Sequence, residues 1–492
     1  MLSSPKLVQQ PSYFHSYPDS NRYASNDIWR PPPNDVDLRQ DLTTTASIDN
    51  DHHILLLVKT SADTIWTRMP LHFLTTFTKL PNFAIYSDAA DSIAGYEVYD
   101  VLANVSSDVM NSNAFTAYRQ ARMMRDQHSY AIPSTDGLSK LDRFKPLHML
   151  LHAYQNLEKH NWYVLLDDDL ALFPENLMDF VSSYNPGAEI YTGFPLAAFS
   201  NIFAGEKAGI AISHALMKKA FGIPSAAELV QQYTETSSKK ESGDYLVSKY
   251  LNEVAGHSMD YDLADSKFQH EPIWAMYFNQ YNWCKSVIGV GQSHPRHLEV
   301  LWEYQTVTKD KKKVRYVDLY NDFIKPYLPL QAYVNWDNFA QSEEYSWKAD
   351  GMPSSIDQSK PYADFSKCVS FCENQPNCLM VRYDPYALQC GISTSVALGR
   401  TINQADYQRM DKEIDQLRQS SNTFQRSYRV PGEEIISFWF VDRIRLMRTQ
   451  IPCDRIYRDA RKEGMINGVY DQIEGWWLRA KQKFSDNNPI HL

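Results

Sequence analysis

No apolar run in this chain approaches the roughly 20 residues needed to cross a bilayer. Near the N-terminus the longest is Ile54 to Val58, so no membrane segment is expected. The opening MLSSPKLVQQPSYFHSYPDSNRY also lacks the apolar core of a signal peptide. Two expectations follow: a cytosolic protein, or a sequence whose targeting segment is missing. A basic excess is lacking too. With 49 Lys and Arg against 59 Asp and Glu, the formal net charge is −10, and the field that drives sequence-independent binding to nucleic acid is absent. Nucleic acid is therefore not an expected partner. There is no internal repeat.

Cysteine is scarce and unevenly placed. Of six, Cys284 and Cys453 stand alone, while Cys368, Cys372, Cys378 and Cys390 crowd into CVSFCENQPNCLMVRYDPYALQC. The C-x3-C-x5-C-x11-C spacing lacks the paired C-x2-C knuckles usual in zinc sites. Zinc stays open as a reading, but a disulfide cluster fits better and implies an oxidising compartment. The sequon Asn104-Val105-Ser106 is compatible with secretion, although such triplets also arise by chance.

What is present suffices for two folded units. The chain has 492 residues, 43% of them hydrophobic, enough to bury a full core. Residues 1–50, rich in Ser, Pro, Asn and Asp, read as a disordered stem. From HHILLLVKT to about residue 305, strand-like runs (Ile54 to Val58, Phe83 to Tyr86, Tyr163 to Leu166, Ile190 to Thr192) alternate with helix-like stretches such as SKLDRFKPLHMLLHAYQNLEKH. That alternation predicts an α/β layer fold with a mostly parallel central sheet over 51–305. Residues 306–355, with the basic run Lys309 to Lys313, read as a linker or surface loop. A cysteine module follows at 356–405, and then a helical extension, 406–492, ending in YDQIEGWWLRAKQKF.

The most informative stretch is NWYVLLDDDLALFPENL, where a strand-like run enters three aspartates, Asp167, Asp168 and Asp169. Like charges this close raise one another's pKa unless something cationic sits among them. In open α/β sheets ligands bind outside the carboxyl ends of the strands, which is where this triplet falls. Hard divalent cations such as Mn2+ and Mg2+ take carboxylate oxygen, commonly from one or two carboxylates plus substrate phosphates. A structural reading competes, in which Asp169 or a neighbour caps a following helix.

In context, WYVLLDDDLALFPENL resembles the D-x-D stretch of the Fringe and β1,3-galactosyltransferase group of glycosyltransferases, the fungal branch in particular, whose fold is GT-A. Further segments resemble that family in its order: ILLLVKTSADTIWTRMPLHFLTTF, FAIYSDAADSIAGYEVYDVL, LDRFKPLHMLLHAY, IFAGEKAGIAISHALMKK, ESGDYLVSKYLNEVAG and GVGQSHPRHLEVLWEYQ. The resemblance spans about residues 52 to 305. It implies a metal-dependent, inverting transfer of a hexose, galactose as pyranose or furanose in first place, from a UDP-sugar to a glycan or glycoprotein hydroxyl. It also implies the Golgi lumen or secretion.

The same resemblance assigns residues. Asp167 and Asp169 with His294, or His297 in second place, would hold Mn2+ as a Lewis acid for the leaving diphosphate. Asp244 would take the acceptor proton, with Glu241 in reserve, and Asp244 as a helix N-cap is the bland alternative. Ser87 and Asp88 would contact uridine or ribose, and Lys59, Thr60, Lys145 and Asp168 complete the donor-binding set, although a Lys at a strand or helix end is usually solvated. Two departures stand out: Gly205-Glu206-Lys207 replaces paired glycines, and Pro295-Arg296 separates His294 from His297. They keep a second reading open, a Fringe-like carbohydrate-binding or scaffold protein without turnover. The cysteine module resembles a PAN/Apple domain, which implies Cys368 with Cys390 and Cys372 with Cys378. Cys284 and Cys453 are expected to bridge the catalytic domain to the tail.

Overall fold

The computed structural model describes residues 54–127, 138–199, 201–237, 241–264, 266–307, 313–328, 332–351, 355–421, 429, 432–450 and 453. The proposed stem, most of the Lys309 to Lys313 run and the segment YDQIEGWWLRAKQKF lie outside them. Two compact units form, one from Thr45–Pro272 with Lys285–Arg315, the other from Ile273–Cys284 with Tyr316–Cys453. Among the described residues no helix is long and apolar enough to cross a membrane.

Among its described residues the first unit has ten strands: β1 (Ile54–Lys59), β2 (Phe83–Ser87), β3 (Asp91–Ile93), β4 (Tyr96–Asp100), β5 (Trp162–Asp167), β6 (Ala171–Leu172), β7 (Tyr191–Ala198), β8 (Asn201–Ser213), β9 (Phe268–Gln269) and β10 (Gly289–Val290). Seven form one sheet in the order β3-β4-β2-β1-β5-β8-β7. Its centre is parallel, β1 pairing β2 and β5 and β2 pairing β4, while β3, β7 and β8 run antiparallel at the edges. The mixed α/β expectation with a mostly parallel centre therefore holds. β1 is apolar without alternation and buried throughout, as a strand covered on both faces must be. Burial of its Leu56, Leu57 and Val58 stabilises the unit by about 1.5–3 kcal/mol each. Four helices matter for the site: α1 (Ile65–Leu74), α2 (Lys145–Asn156), α3 (Gly243–Ala255) and α4 (Pro295–Val307).

Two registers position the charged residues at the strand ends. In the β1–β5 pair, Lys59 lies opposite Asp167, so the ends of the central strands carry an amine and a carboxylate side by side. In the β7–β8 hairpin, Gly193 pairs with Ile210 but the next residue, Phe194, pairs with Gly205. Residues 206–209 are thus pushed out of the ladder as a wide bulge, a device that re-aims side chains. Gly209, at φ 91°, takes the left-handed conformation this detour requires.

The second unit carries a five-stranded antiparallel sheet ordered Tyr333–Val334, Ile436–Trp439, Met380–Asp384, Gln389–Ser393, Glu343–Ser346. A helix, Phe365–Glu373, is capped by Asp364, which accepts from the Lys367 N–H at 2.9 Å. Disulfides join Cys368 to Cys390 and Cys372 to Cys378, pinning that helix to the sheet in a core with Trp347 and Tyr362. All six cysteines are bridged, so the cluster forms disulfides rather than a zinc site.

Three expectations change here. Residues 306–355 do not act as a linker throughout, because Tyr333–Val334 and Glu343–Ser346 complete the second sheet. The described part of the extension holds a strand, Ile436–Trp439, between helices Gln404–Ser421 and Val441–Gln450. The Cys284–Cys453 bridge joins two segments of the second unit, since the chain leaves the first unit after Pro272 and rejoins it at Lys285.

Candidate active site

The ends of β1, β2 and β5 gather a dense set of charges. Lys59 Nζ lies 2.9 Å from Asp167 Oδ1 and donates to Glu206 Oε1 at 2.5 Å. Burial alone would lower the Lys59 pKa, but Asp167 and Glu206 hold it well above the ordinary amine range. Asp168 is fully engaged: Thr60 and Thr64 hydroxyls donate to Oδ2 at 2.7 and 2.6 Å, and Arg68 donates to Oδ1 at 2.7 Å. Arg68 also lies 3.4 Å from Asp169 Oδ2. His72 Nε2–H donates to the Asp168 carbonyl at 2.8 Å, which fixes the neutral tautomer that burial favours. The cations the triplet requires thus come in part from the chain itself, from Lys59 and from Arg68 on α1.

They do not balance it. Asp169 Oδ1 and Glu206 Oε2 are buried and have no hydrogen-bond partner among the described residues. Burial, with Asp167 and Asp168 adding to it, pushes the Asp169 carboxyl up to about 7 against Arg68. Burial raises Asp167 as well, Lys59 opposing. Glu206 is pushed up to about 8 by burial and by Asp167 and Asp244, Lys59 opposing.

The Glu206 shift carries a pH signature. Its folded pKa lies above the reference value of 4.5, so the folded state holds the proton longer and loses stability as pH rises from that reference toward the folded pKa. Glu206→Gln removes this loss. The melting temperature of the variant relative to the native chain should climb between pH 5 and pH 8.5, read by differential scanning fluorimetry across that range. A difference independent of pH would mean that Glu206 is not protonated in the fold.

Asp244 stands beside this group. Its Oδ1 accepts from the Ser242 hydroxyl and from the Tyr245 N–H at 2.9 Å, and its Oδ2 accepts from the Glu206 N–H at 3.3 Å. It sits inside the first turn of α3, whose N-cap is Ser242, so the N-cap reading fails for Asp244. It fails for Asp169 too, because the next helix starts at Pro174 behind Phe173. Glu241 pairs instead with Lys249 at 3.4 Å.

The segment returning at Lys285 reaches the triplet through its backbone, the Ser293 N–H donating to the Asp169 carbonyl at 2.8 Å. Gly291 permits this approach: a Cβ there would collide with the carbonyls of Lys207 and His270. His294 is exposed and its Nδ1 accepts from the Arg296 N–H at 3.2 Å. His297 is half-buried and its Nδ1 has no partner among the described residues. Burial, then His294 and Arg296, lower its pKa, so His297 offers a neutral ring.

The remaining donor-set residues are mostly committed to one another. Lys145 is 0% exposed; its amine lies 2.9 Å from Asp88 Oδ2 and 2.7 Å from Asp142 Oδ1, and donates to the Thr60 carbonyl at 2.9 Å. Asp88 Oδ1 accepts from the Ala62 N–H at 2.9 Å. Neither side chain is open to phosphate or ribose, and their shared burial makes them a brace for the strand ends. Ser87 differs, its hydroxyl buried without a partner among the described residues.

Among the described residues no group of three or more His, Cys, Asp or Glu side chains is arranged to hold a metal ion. A donor set of Asp167 and Asp169 alone fits Mn2+ or Mg2+ shared with substrate phosphates, the usual manner for such ions. The unpartnered Asp169 oxygen is the feature that fits it.

Residues 49–270 match the family model described as Fringe-like. That stretch, from β1 through β9, is thus similar to Fringe-like proteins, and the similarity ends before His294 and His297. No curated protein matches the chain.

Arg68, Thr64, His72 and Asp142 carry no sequence signal as site residues. Glu206 did carry one, as a carboxylate that with Lys207 interrupts the apolar pattern of IFAGEKAGIAI, where burial demands a partner.

Proposed function

We propose that the first unit is a metal-dependent, inverting glycosyltransferase that moves a hexose, galactose in first place, from a UDP-sugar to a hydroxyl of a glycan or glycoprotein. One observation carries the reading. At the carboxyl ends of parallel strands, Asp169 carries an unpartnered carboxylate oxygen beside Asp167, and a chain of contacts through Lys59 and Glu206 joins Asp167 to Asp244, a second carboxylate oriented by three donors. Asp167 and Asp169 would hold Mn2+ or Mg2+, which supplies a Lewis acid for the departing diphosphate. His297 is the better placed of the two histidines to assist, because its ring nitrogen is unpartnered. Asp244 accepts the proton of the attacking hydroxyl, and the Ser242 and Tyr245 donors keep its carboxylate aimed while it does so. Ser87, whose buried hydroxyl has no partner among the described residues, is the residue of the donor set left to contact the nucleoside. The disulfides favour an oxidising compartment such as the secretory pathway; the Golgi lumen of a fungal cell rests on the sequence resemblance alone. The second unit is a PAN/Apple-like appendage.

A second reading, a Fringe-like carbohydrate-binding protein without turnover, has its own support in Lys59 and Arg68, which neutralise part of the triplet without a metal. Two measurements separate them. Millimolar Mn2+ should raise the melting temperature and UDP should raise it further, since ligand at a hundred times its Kd stabilises by about 2.7 kcal/mol. UDP should be released from at least one UDP-hexose in the presence of Mn2+. No thermal shift with either ligand would sink the transferase reading; a shift with no UDP release from any donor would leave the second.

A further inference from the structure

We infer that the tip of the β7–β8 hairpin and the adjoining face of α3 form a subsite for one uncharged sugar ring of an oligosaccharide acceptor, remote from the reacting hydroxyl. The inference rests on the transferase reading for its role, though not for its binding chemistry.

A cavity of about 330 Å³ lies there, lined by Asn201 and Ile202 from β8, Tyr245, Ser248 and Asn252 from α3, and Tyr261. Its size is at the lower end of small-molecule sites, about 300–1,000 Å³. The two charged residues at its edge are already occupied: Lys249 pairs with Glu241 at 3.4 Å, and Glu253 accepts from the Tyr233 hydroxyl. With the lysine paired and the Glu253 carboxylate still charged, a phosphate or carboxylate ligand is disfavoured. Hydroxyl, amide and aromatic groups remain, the set that suits a pyranose, which is apolar on its C–H face and polar around its rim.

Phe199 supplies the second observation. Phe199 follows Ala198, the last residue of β7, which pairs with Asn201. Asn, Asp and Gly accept a positive φ readily and a bulky aromatic does not. Yet Phe199 stands there at φ 51°, 52% exposed, its ring 4.8 Å from that of Tyr245. Strained backbone that presents a large side chain to solvent is a signature of functional positions. Tyr245 lines the cavity, so the exposed Phe199 ring beside it stands at the cavity's margin, where it can cover the C–H face of a ring bound there.

The location sets the role. The Tyr245 N–H donates to Asp244 Oδ1, so cavity and base share a helix turn. Along β8, Ile202 precedes Glu206 by four residues, about 13 Å at roughly 3.3 Å per residue, and Glu206 touches Asp244 through its N–H. The Ile202 end of the cavity thus lies more than one sugar ring from the base, and a unit bound at that end lies beyond the reacting one. Binding energy gained there orients the acceptor hydroxyl.

Saturation-transfer NMR with lactose, N-acetyllactosamine, galactobiose and mannobiose tests the site, with methyl β-galactoside and methyl α-mannoside as single rings. At least one disaccharide should give signal with the native chain. Phe199→Ala should weaken that binding about tenfold, the scale of a lost aromatic contact. Phe199→Tyr should restore it. Tyr281→Ala, removing a comparably exposed ring (51%) from the second unit, should not alter it. In transfer assays Phe199→Ala should raise KM for the disaccharide far more than for the single ring. No signal from any sugar, equal signal from Phe199→Ala and the native chain, or equal KM penalties for one and two rings would overturn the subsite. Phe199-dependent binding without UDP release from any donor would instead keep the subsite and remove the transferase reading.

Discussion

Asp244→Asn should leave Mn2+ and UDP binding close to those of the native chain while lowering turnover by about two to four orders of magnitude, the usual contribution of a positioned general base. The geometry makes this substitution clean. The Asn carbonyl can still accept from Ser242 and Tyr245, while its NH2 would face the Glu206 N–H that now donates at 3.3 Å, at a cost of about 1–3 kcal/mol. A folded variant is therefore expected. Asp169→Asn should behave differently, weakening Mn2+ binding, UDP binding and transfer together, because its orphaned oxygen belongs to the ground-state complex. Isothermal titration with Mn2+ and UDP, beside a UDP-release assay, distinguishes the two. If Asp244→Asn keeps most of its activity, the base lies elsewhere, and Glu241, paired as it is with Lys249, is the next residue to change.

Lys145→Met should destabilise the first unit by about 3–5 kcal/mol, the cost of removing one partner from a buried ion pair. The amine is closed off from solvent and lies between Asp88, Asp142 and the Thr60 carbonyl. Methionine fills a similar volume, so the loss reports the stranded Asp88 carboxylate rather than a cavity. Urea unfolding followed by tryptophan fluorescence reads it. A donor-phosphate lysine would give the opposite pattern, with stability unchanged and affinity for the UDP-sugar reduced.

Some features were legible because their cause is local. Unbroken apolar runs of four or five residues marked β1, β2 and β5, the aspartates fell at the end of a strand, and the disulfide pairs within the 368–390 cluster followed the implied pattern. Other features arise between residues far apart in the chain. Lys59 meets Glu206 across 147 positions and Arg68 meets Asp168 across 100; no spacing rule links residues so distant. The segment 306–355 looked like a linker because its strands are only two to four residues long, too short to show alternation.

Residue type and short-range period were enough to establish the α/β class, the strand that ends in Asp167, Asp168 and Asp169, and a cysteine cluster suited to an oxidising compartment. The surroundings of the carboxylates came from tertiary contacts instead. The β1–β5 register set Lys59 against Asp167, the β7–β8 bulge turned Glu206 toward Lys59, and burial closed Lys145 into a brace. These outcomes depend on which strand ends meet and how much water is left between them, and that dielectric setting decides whether a charge is a ligand, a base or a strut.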